Sequence, residues 1–437
     1  MKLDKKEENV MALLPIGVFM VVFLGAGIIL KDFYAMPIIV AFLIALLVAF
    51  LQNREISFEE KIKVVAKGVG EENIITMCLI FLCAGAFSGA VTAAGGVENT
   101  VNLGLSIIPS RFAVVGLFII GCFISISMGT SMGTIAALAP IAVGISDKTG
   151  SDIAVCMGAV MCGAMFGDNL SMISDTTIAA VKTQGCDMKD KFKENFLIVL
   201  PAAIMTIIFF LLISENVNYI SGEALSYDLL NVLPYIMVFV GALAGLNVFT
   251  ILIVGTLIAL TVGLITDYIA FSEIFIAIGG GKINGQEISG IIGMYDITVI
   301  SIIIACIVSL IKENGGIEYI LNKIKRKIKS KKGAELGIAG LSVLVDVCTA
   351  NNTVAIVMAG PIVKEISDEY GVSAKKSASL LDIFTSAMQG LLPYGTQILS
   401  AATLSGLTPF QIMPYLYYPI LMAISGLFFI AFKKQVY

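Results

Sequence analysis

The sequence predicts an all-α polytopic membrane protein that consists of two inverted-topology repeats. Of its 437 residues, 58% are hydrophobic and only 14% are charged, whereas soluble domains carry about 25% charged residues. The apolar stretches approach the roughly 20 residues that a membrane-crossing helix needs. They are continuous and do not alternate with polar residues, which excludes a membrane β-barrel.

Eight stretches have the composition of single membrane spans. They are Ala12–Leu30, Met36–Leu51, Ile74–Ala94, Phe196–Ile213, Leu229–Leu246, Val248–Ile265, Ile288–Ile311 and Pro414–Phe432. Two longer apolar regions, Phe112–Val181 and Ala334–Leu404, are interrupted by glycines, hydroxyls, amides and carboxylates. Broken backbone and ionised side chains are tolerated at membrane depth only where protein or a water-filled cavity surrounds them. These two regions are therefore the expected location of a transport site.

The two interrupted regions match each other. A shift of 221 positions places Ala139–Gly150 (APIAVGISDKTG) on Gly360–Gly371 (GPIVKEISDEYG). We therefore expect an internal duplication, with residues 1–215 as the first repeat and 229–437 as the second. Internal repeats of this kind are typical of secondary transporters with a site near the bilayer midplane.

Basic residues predict that the repeats have opposite orientations, because Lys and Arg accumulate on the cytoplasmic side. The N-terminus and the segments Arg54–Lys67 and Lys182–Lys193 are basic and are expected inside, whereas Gly95–Arg111 and Ser214–Asp228 are expected outside. In the second repeat the equivalent of Gly95–Arg111 is the basic segment Lys312–Lys332, which is expected inside. Its basic run Lys323–Lys332 is typical of an amphipathic segment that contacts anionic lipid.

Each interrupted region is expected to contain a re-entrant hairpin followed by a broken helix. The hairpins span about 112–147, opening outward, and about 334–367, opening inward. The broken helices span about 153–181, unwound around Gly167–Asp175, and about 374–404, unwound around Gln389–Gly395. Together with the single spans this gives about ten crossings. Full crossings in place of the two hairpins are an alternative.

The candidate binding residues lie at the hairpin tips and helix breaks. Carboxylate, hydroxyl and amide oxygens are the ligands that hard cations prefer, and two neighbouring carboxylates can hold either protons or a cation. Asp168 and Asp175 are the candidate sodium ligands, although Asp175 could instead cap the helix that follows it. Asp382 shares a helix face with Gln389. The full candidate set is Thr130, Ser131, Thr134, Asp168, Asn169, Ser171, Ser174, Asp175, Thr176, Asn351, Asn352, Thr353, Asp382 and Gln389.

Several functional classes are disfavoured. The chain has no His, so imidazole cannot act as a metal ligand or proton carrier. Its eight Cys show no metal-binding spacing and are expected to be apolar filler. No phosphate-binding loop for ATP, no nucleophile–base pair and no basic domain for nucleic acid is evident. We expect neither enzymatic activity nor a cofactor, only sodium ions and protons as transported or coupling ions.

Two blocks, GTSMGTIAALAPIAVGI and GAMFGDNLSMISDTT, resemble the motifs of the NhaC-type sodium/proton antiporter family of the ion transporter superfamily. The resemblance implies inverted repeats, opposed hairpins and broken helices. The residues that match the family motifs, and to which the resemblance assigns a site role, are Gly129, Thr130, Ser131, Gly133, Thr134, Gly167, Asp168, Ser171, Ser174, Asp175, Thr176 and Thr177. The chain departs from the family pattern at Met132, Asn169 and Met172, where the family has Trp, Lys and Pro.

The resulting hypothesis is sodium/proton antiport by alternating access at a midplane carboxylate site. The alternative is a sodium- or proton-coupled transporter of amino acids or organic acids, because the change of Lys to Asn169 alters the charge of the site. The expected location is the cell (inner) membrane, multi-pass, with both termini in the cytoplasm. The expected partners are the lipid bilayer and a small cation or small-molecule substrate. A homodimer is an open alternative to a monomer.

Overall fold

Helices dominate the computed structural model, which describes residues 8–30, 36–107, 109–172, 174–214, 226–244, 246–283 and 285–432. The N-terminal lysines Lys2, Lys5 and Lys6, on which part of the orientation argument rests, lie outside the described residues, as does most of Ser214–Asp228. The protein is all-α within these ranges except for a two-stranded antiparallel hairpin, β1 (Gly281–Ile283) and β2 (Gln286–Ile288), which the sequence did not predict.

The first half contains α1 (Leu14–Leu30), α2 (Ile38–Leu51), α3 (Phe58–Val69), α4 (Glu72–Ala93), α5 (Gly96–Ile107), α6 (Ala113–Met128), α7 (Ser131–Thr149), α8 (Ile153–Leu170), α9 (Asp175–Gln184) and α10 (Met188–Ile213). The second half contains α11 (Leu229–Leu243), α12 (Val248–Ile265), α13 (Ile274–Gly279), α14 (Tyr295–Glu313), α15 (Gly316–Lys325), α16 (Lys331–Thr349), α17 (Asn352–Tyr370), α18 (Ala374–Leu391), α19 (Thr396–Ser405), α20 (Pro409–Ile412) and α21 (Tyr417–Phe432).

Three consecutive helices of the first half have counterparts with the same bounds in the second half. The shift that places Ser131 on Asn352 carries both ends of α7, α8 and α9 onto the ends of α17, α18 and α19. The turns that follow these helices also correspond. Gly150 and Gly371 both end a helix in the left-handed conformation, with φ of 68° and 65°, a conformation that glycine adopts without a steric penalty.

The turns at the two hairpin tips differ in one respect. Between α6 and α7 the left-handed position is Gly129, with φ of 69°. Between α16 and α17 the equivalent residue is Ala350, with φ of 48°. Alanine pays a steric cost there that glycine does not, about 1–2 kcal/mol.

The expected helix breaks were wrong in extent. Gly167, Asp168 and Asn169 belong to α8, which continues to Leu170, and Gln389 belongs to α18. Gly167 serves close packing: a Cβ atom there would lie 2.5 Å from the carbonyl oxygen of Cys122 on α6. The glycine therefore permits helix contact and does not mark unwinding.

The segment Lys182–Lys193 is not a solvated loop. Its first residues complete α9, and α10 begins at Met188, eight residues before the expected span Phe196–Ile213. Lys191 on α10 is buried, with 1% of its surface exposed. Counting basic residues in the sequence could not separate this lysine from the solvated ones around it.

The centre of the molecule is formed by α8 and α18, whose side chains are buried almost throughout. The helices α6 and α8 make a close contact at Gly163, where a Cβ atom would lie 2.3 Å from the carbonyl oxygen of Phe118. Small residues allow this approach between helices in membranes. The contact places Ser125 on α6 so that its hydroxyl donates to the carbonyl oxygen of Ala164 at 2.5 Å.

Among the described residues, five helices are long and apolar enough to cross a membrane, or six if the bent pair Pro409–Tyr415 and Tyr417–Phe432 is one span. Shorter apolar helices lie at Val10–Phe23, Ile38–Leu51, Ala113–Ile126 and Leu229–Gly241. The structure therefore has the helices of a polytopic membrane protein. The total of about ten crossings stays a prediction.

We expect Gly163→Ala to lower the stability of the protein, because the added methyl group meets the backbone of α6 and overpacking costs about 1–3 kcal/mol. The matched control is Gly340→Ala on α16, where a Cβ atom would meet nothing within 4 Å. Thermal unfolding in detergent should show a lower melting temperature for the first variant only. Equal melting temperatures for both variants would contradict the close contact of α6 and α8.

Candidate functional site

A cavity of about 80 Å³ lies where the two halves meet. Its polar walls come from the starts of four helices, namely α7, α9, α17 and α19, from Asp168 near the end of α8 and from Thr76 of α4. The first turn of a helix exposes unpaired N–H groups and carries a partial positive charge. The lining residues are Thr76, Met77, Ile80, Thr130, Ser131, Met132, Asp168, Asp175, Asn351, Asn352, Thr353, Thr396 and Gln397.

Asp168 is held by hydroxyl groups of the first half. The Ser174 hydroxyl donates to its Oδ1 at 2.6 Å, and the Ser131 hydroxyl donates to its Oδ2 at 3.0 Å. Asp168 is 6% exposed. Hydrogen bonds to a charged acceptor are the strong ones, so the two hydroxyls partly compensate for the lost hydration of this carboxylate.

Asp175 joins the two halves. Its Oδ2 accepts a hydrogen bond from the Thr353 hydroxyl at 2.8 Å, and its Oδ1 accepts one from the Thr176 amide at 2.9 Å. The side chain is exposed, so the cavity is open at this residue. Ser174, not Asp175, is therefore the N-cap of α9, while Asp175 binds a first-turn amide through one oxygen and borders the cavity.

The hairpin tips contribute their first helical turns. The side chain of Thr130 accepts from the Gly133 amide, and that of Asn351 accepts from the Val354 amide at 3.0 Å. Both residues therefore act as N-caps of the helices that follow them. They occupy equivalent positions under the shift that relates the two halves.

Besides Asp382, six of the predicted residues do not line the cavity. Thr134 and Ser171 donate to the backbone oxygens of Thr130 and Ile126, at 2.9 and 2.7 Å. The Gln389 amide donates to Gln397 Oε1 at 2.7 Å and to the carbonyl oxygen of Ala350 at 3.1 Å. These contacts support the walls of the cavity. The remaining three are Ser174 and Thr176, whose hydroxyls lie 2.9 Å apart, and Asn169.

Asp382 lies outside the cavity, in a buried ion pair with Lys191. Lys191 Nζ is 2.6 Å from Asp382 Oδ2, and the two side chains are 1% and 0% exposed. Lys191 Nζ also donates to Thr177 Oγ1 at 2.8 Å and lies 3.4 Å from the carbonyl oxygen of Asn169. A lysine therefore lies beside Asn169, the position where the family pattern has its own lysine.

Sequence reasoning missed Lys191, Asn195, Thr396 and Gln397. Two of these could have been predicted from the sequence. The shift of 221 positions that relates the two halves pairs Asp175 with Thr396 and Thr176 with Gln397. The two α10 residues gave no comparable signal, since they lie in a segment that reads as basic and solvated. Residues of α4 that line the cavity, such as Thr76, were hidden inside an ordinary apolar span.

Two further cavities lie along α4. One of about 620 Å³ is bordered by Ser88 and Thr92 of α4 together with Glu98, Asp147 and Lys148. The other, of about 30 Å³, is bordered by Glu71, which precedes α4, and by Ile74 and Met77 of α4. It shares Met77, Asn351 and Thr396 with the central cavity. From Ile80 to Ser88 the helix rises about 12 Å. The central cavity therefore adjoins the small cavity and is separated from the large one.

Comparison with known proteins gives the family. The sequence model of the Na+/H+ antiporter family matches residues 9–214 and 216–434, so the chain belongs to this family of membrane transporters, and the resemblance seen in the sequence is confirmed. The chain is 23% identical over 440 residues to the Na(+)/H(+) antiporter NhaC of Alkalihalophilus pseudofirmus, covering 95% of this chain and 94% of the relative.

Other relatives carry organic substrates in their names. The malate-2H(+)/Na(+)-lactate antiporter of Bacillus subtilis is 23% identical over 440 residues, covering 94% of this chain and 93% of the relative. The arginine/ornithine antiporter ArcD of Halobacterium salinarum is 22% identical over 363 residues, covering 76% and 74%. Membership of the family thus leaves the substrate to be argued from the site.

We expect Asp382→Asn to destabilise the protein in sodium-free buffer, because it leaves the buried ammonium of Lys191 without a counter-ion. Removing one partner of a buried pair costs about 3–5 kcal/mol. Asp147→Asn is the control, since Asp147 is exposed beside the large cavity and surface changes stay within about 0.5 kcal/mol. Thermal unfolding measures both. A variant as stable as the control would show that Asp382 carries no charge in the protein.

Proposed function

We propose that this protein exchanges sodium ions for protons, with Asp168 and Asp175 as the ion-binding carboxylates. One observation carries the proposal: both carboxylates border the same cavity of about 80 Å³, and none of the described residues that line it is Lys or Arg. The remaining polar lining consists of hydroxyl and amide groups. Asp168 is buried, and buried charge is stable only when paired, so a cation or a proton must neutralise it, with Asp175 beside it in the same cavity.

Competition between the two kinds of cation provides the coupling. Sodium needs ionised carboxylates and neutral oxygens as ligands, and the Ser131, Thr353 and Asn351 side chains supply such oxygens beside Asp168 and Asp175. Protonation of the carboxylates removes the charge that holds sodium. A carrier that returns only when its carboxylates are neutralised by one cation or the other therefore exchanges sodium for protons.

The proposed framework for this exchange is a pair of inverted repeats, residues 1–215 and 229–437, with hairpins at about 112–147 and 334–367 and broken helices at about 153–181 and 374–404. The equal bounds of α7–α9 and α17–α19 support the duplication. The family match in two segments, residues 9–214 and 216–434, agrees with it. The distribution of basic residues supports opposite orientations, location in the cell membrane and cytoplasmic termini.

The cavities along α4 support the proposal of alternating access. The small cavity at Glu71 and Lys312 leads to the basic face that we assign to the cytoplasm. The large cavity at Glu98 and Asp147 leads to the opposite face. In this conformation the central cavity adjoins the cytoplasmic route, and α4 packed on α7 closes the other.

A second candidate is exchange of small organic acids or amino acids coupled to sodium or protons. Four helix N-termini border the cavity, and helix N-termini favour anionic groups such as carboxylates. The size of the cavity argues for the ion. About 80 Å³ is far below the roughly 300–1,000 Å³ of pockets that hold organic ligands. An organic substrate would require the hairpin tips to separate.

In proteoliposomes that hold a pH gradient, addition of sodium should dissipate the gradient. Asp168→Asn should abolish this signal, because it removes one of the two charges that bind the ion. The control Asp368→Asn changes an exposed carboxylate at the end of α17 and should keep the signal. A sodium-dependent signal that survives Asp168→Asn, or is missing from the unmodified protein at every pH, would refute the proposal.

Thermal-shift measurements separate the two candidate functions. Sodium alone should stabilise the purified protein, by about 2.7 kcal/mol at a concentration one hundred times the dissociation constant, whereas potassium should not. Malate, lactate, arginine and ornithine are screened with and without sodium. Stabilisation by one of these compounds in the presence of sodium would favour the organic substrate over ion exchange alone.

A further inference from the structure

The ammonium group of Lys191 lies in a cradle of oxygen atoms. Nζ contacts Asp382 Oδ2 at 2.6 Å, Thr177 Oγ1 at 2.8 Å and the carbonyl oxygen of Asn169 at 3.4 Å. Carboxylate, hydroxyl and carbonyl oxygens are also the donor set that binds a hard metal cation. We refer to these three groups, of Asp382, Thr177 and Asn169, as the lysine cradle.

The cradle is held together without the lysine. The Asn195 side-chain amide, one helical turn after Lys191 on α10, donates to Asp382 Oδ2 and to the carbonyl oxygen of Asn169, both at 3.0 Å. Asn195 is itself fixed by a hydrogen bond from the Ser379 hydroxyl. Two of the three cradle oxygens therefore keep their positions through Asn195 when the ammonium is removed.

The cradle also has unused binding capacity. Asp382 Oδ1 is buried and accepts no hydrogen bond in the described part of the protein. A carboxylate that is 0% exposed and bonded through only one of its oxygens can still accept a ligand on the other. A metal ion at the position of Nζ could use this second oxygen.

The ion pair has no counterpart in the other half. The positions equivalent to Lys191 and Asp382 are Ile412 and Met161, both fully buried. Apolar side chains therefore occupy these two positions there, although the segment that matches α10 is divided into α20 and α21. Buried ion pairs are in general no more stabilising than apolar residues of similar volume, so a role in transport is the better reason for this one.

The cradle adjoins the proposed ion site. Asn169 follows Asp168 on α8, and Thr177 lies two residues after Asp175 on α9. A charge at the cradle therefore acts directly on the cavity. Among the described residues that line the cavity or form the cradle, there are three carboxylates, and Lys191 is the basic side chain that faces them.

We propose that Lys191 is a tethered cation that permanently occupies a second cation site, formed by Asp382, Thr177 and the carbonyl of Asn169. This proposal rests on the proposed sodium/proton exchange. It makes Lys191 a positioning residue that limits the transporter to one exchangeable sodium at Asp168 and Asp175. Replacing the lysine by an uncharged residue frees the cradle for a second sodium ion.

The test compares the sodium dependence of exchange in proteoliposomes for four variants. Lys191→Met should steepen a hyperbolic dependence, with a Hill coefficient rising from about 1 towards about 2, since this coefficient can reach the number of sites. Lys191→Arg keeps the charge and should stay hyperbolic, and so should the double variant Lys191→Met/Asp382→Asn. Lys376→Met is the matched control, because it breaks the pair of Lys376, which is partly buried, with the buried Glu335, at 2.7 Å, elsewhere on α18.

Equilibrium binding of radioactive sodium to the purified protein provides the second readout. Lys191→Met should bind two ions and the unmodified protein one. In the Asp168→Asn background, removal of the lysine should create one site where the single variant has none, so the cradle is tested even if exchange is absent. An active Lys191→Met variant with hyperbolic dependence and one bound ion would overturn the proposal.

The stability of Lys191→Met distinguishes a role in ion binding from a purely structural role. If Lys191→Met unfolds in potassium, sodium should restore its folding, because the ion takes the place of the ammonium. Unfolding in sodium and potassium alike would show that the lysine is required only for structure. If the unmodified protein shows no exchange, the proposed function is refuted. The sodium-binding measurement then tests the lysine cradle by itself.

Discussion

The cost of burying charge governs the organisation of this protein. Asp168 and Asp382 lie deep among apolar helices, whereas Asp175 borders the cavity and is exposed, and each of these carboxylates is accommodated differently. Asp168 accepts two hydroxyl hydrogen bonds, Asp175 accepts one hydroxyl and one amide and is open to the cavity, and Asp382 pairs with Lys191. The Thr353–Asp175 hydrogen bond and the Lys191–Asp382 ion pair each join the first half to the second. The contacts that stabilise these carboxylates therefore also hold the two halves together.

The two halves have helices with equivalent bounds, but the equivalent residues Asp168 and Gln389 differ in whether they accept or donate hydrogen bonds. Asp168 accepts hydrogen bonds from Ser131 and Ser174, whereas its equivalent, Gln389, donates to Ala350, Thr396 and Gln397. An amide satisfies its surroundings without an ion, and a carboxylate does not. The helix breaks thus recur at equivalent positions in the two halves, and the carboxylates that border the cavity both belong to the first half.

Much of this architecture could be read from the sequence, because glycine, proline and capping residues interrupt apolar helices at defined places. The start of α7 at Ser131 and the start of α9 at Asp175 fall where the motifs suggested interruptions. The sequence failed where one residue type serves two purposes. Gly167 permits helix contact instead of unwinding, and Lys191 is buried within a run of solvated lysines. Only three-dimensional packing distinguishes these cases.

The tip residue Ala350 gives the two hairpins different mechanical character. Ala350 is held in the left-handed conformation, so the backbone of its turn is strained. Neighbouring groups keep it in place, among them the Gln389 amide that donates to its carbonyl oxygen. Gly129, at the matching turn, adopts the same conformation without this strain. The two turns therefore resist deformation unequally, and a movement at the turn between α16 and α17 would release strain that the Gly129 turn does not hold.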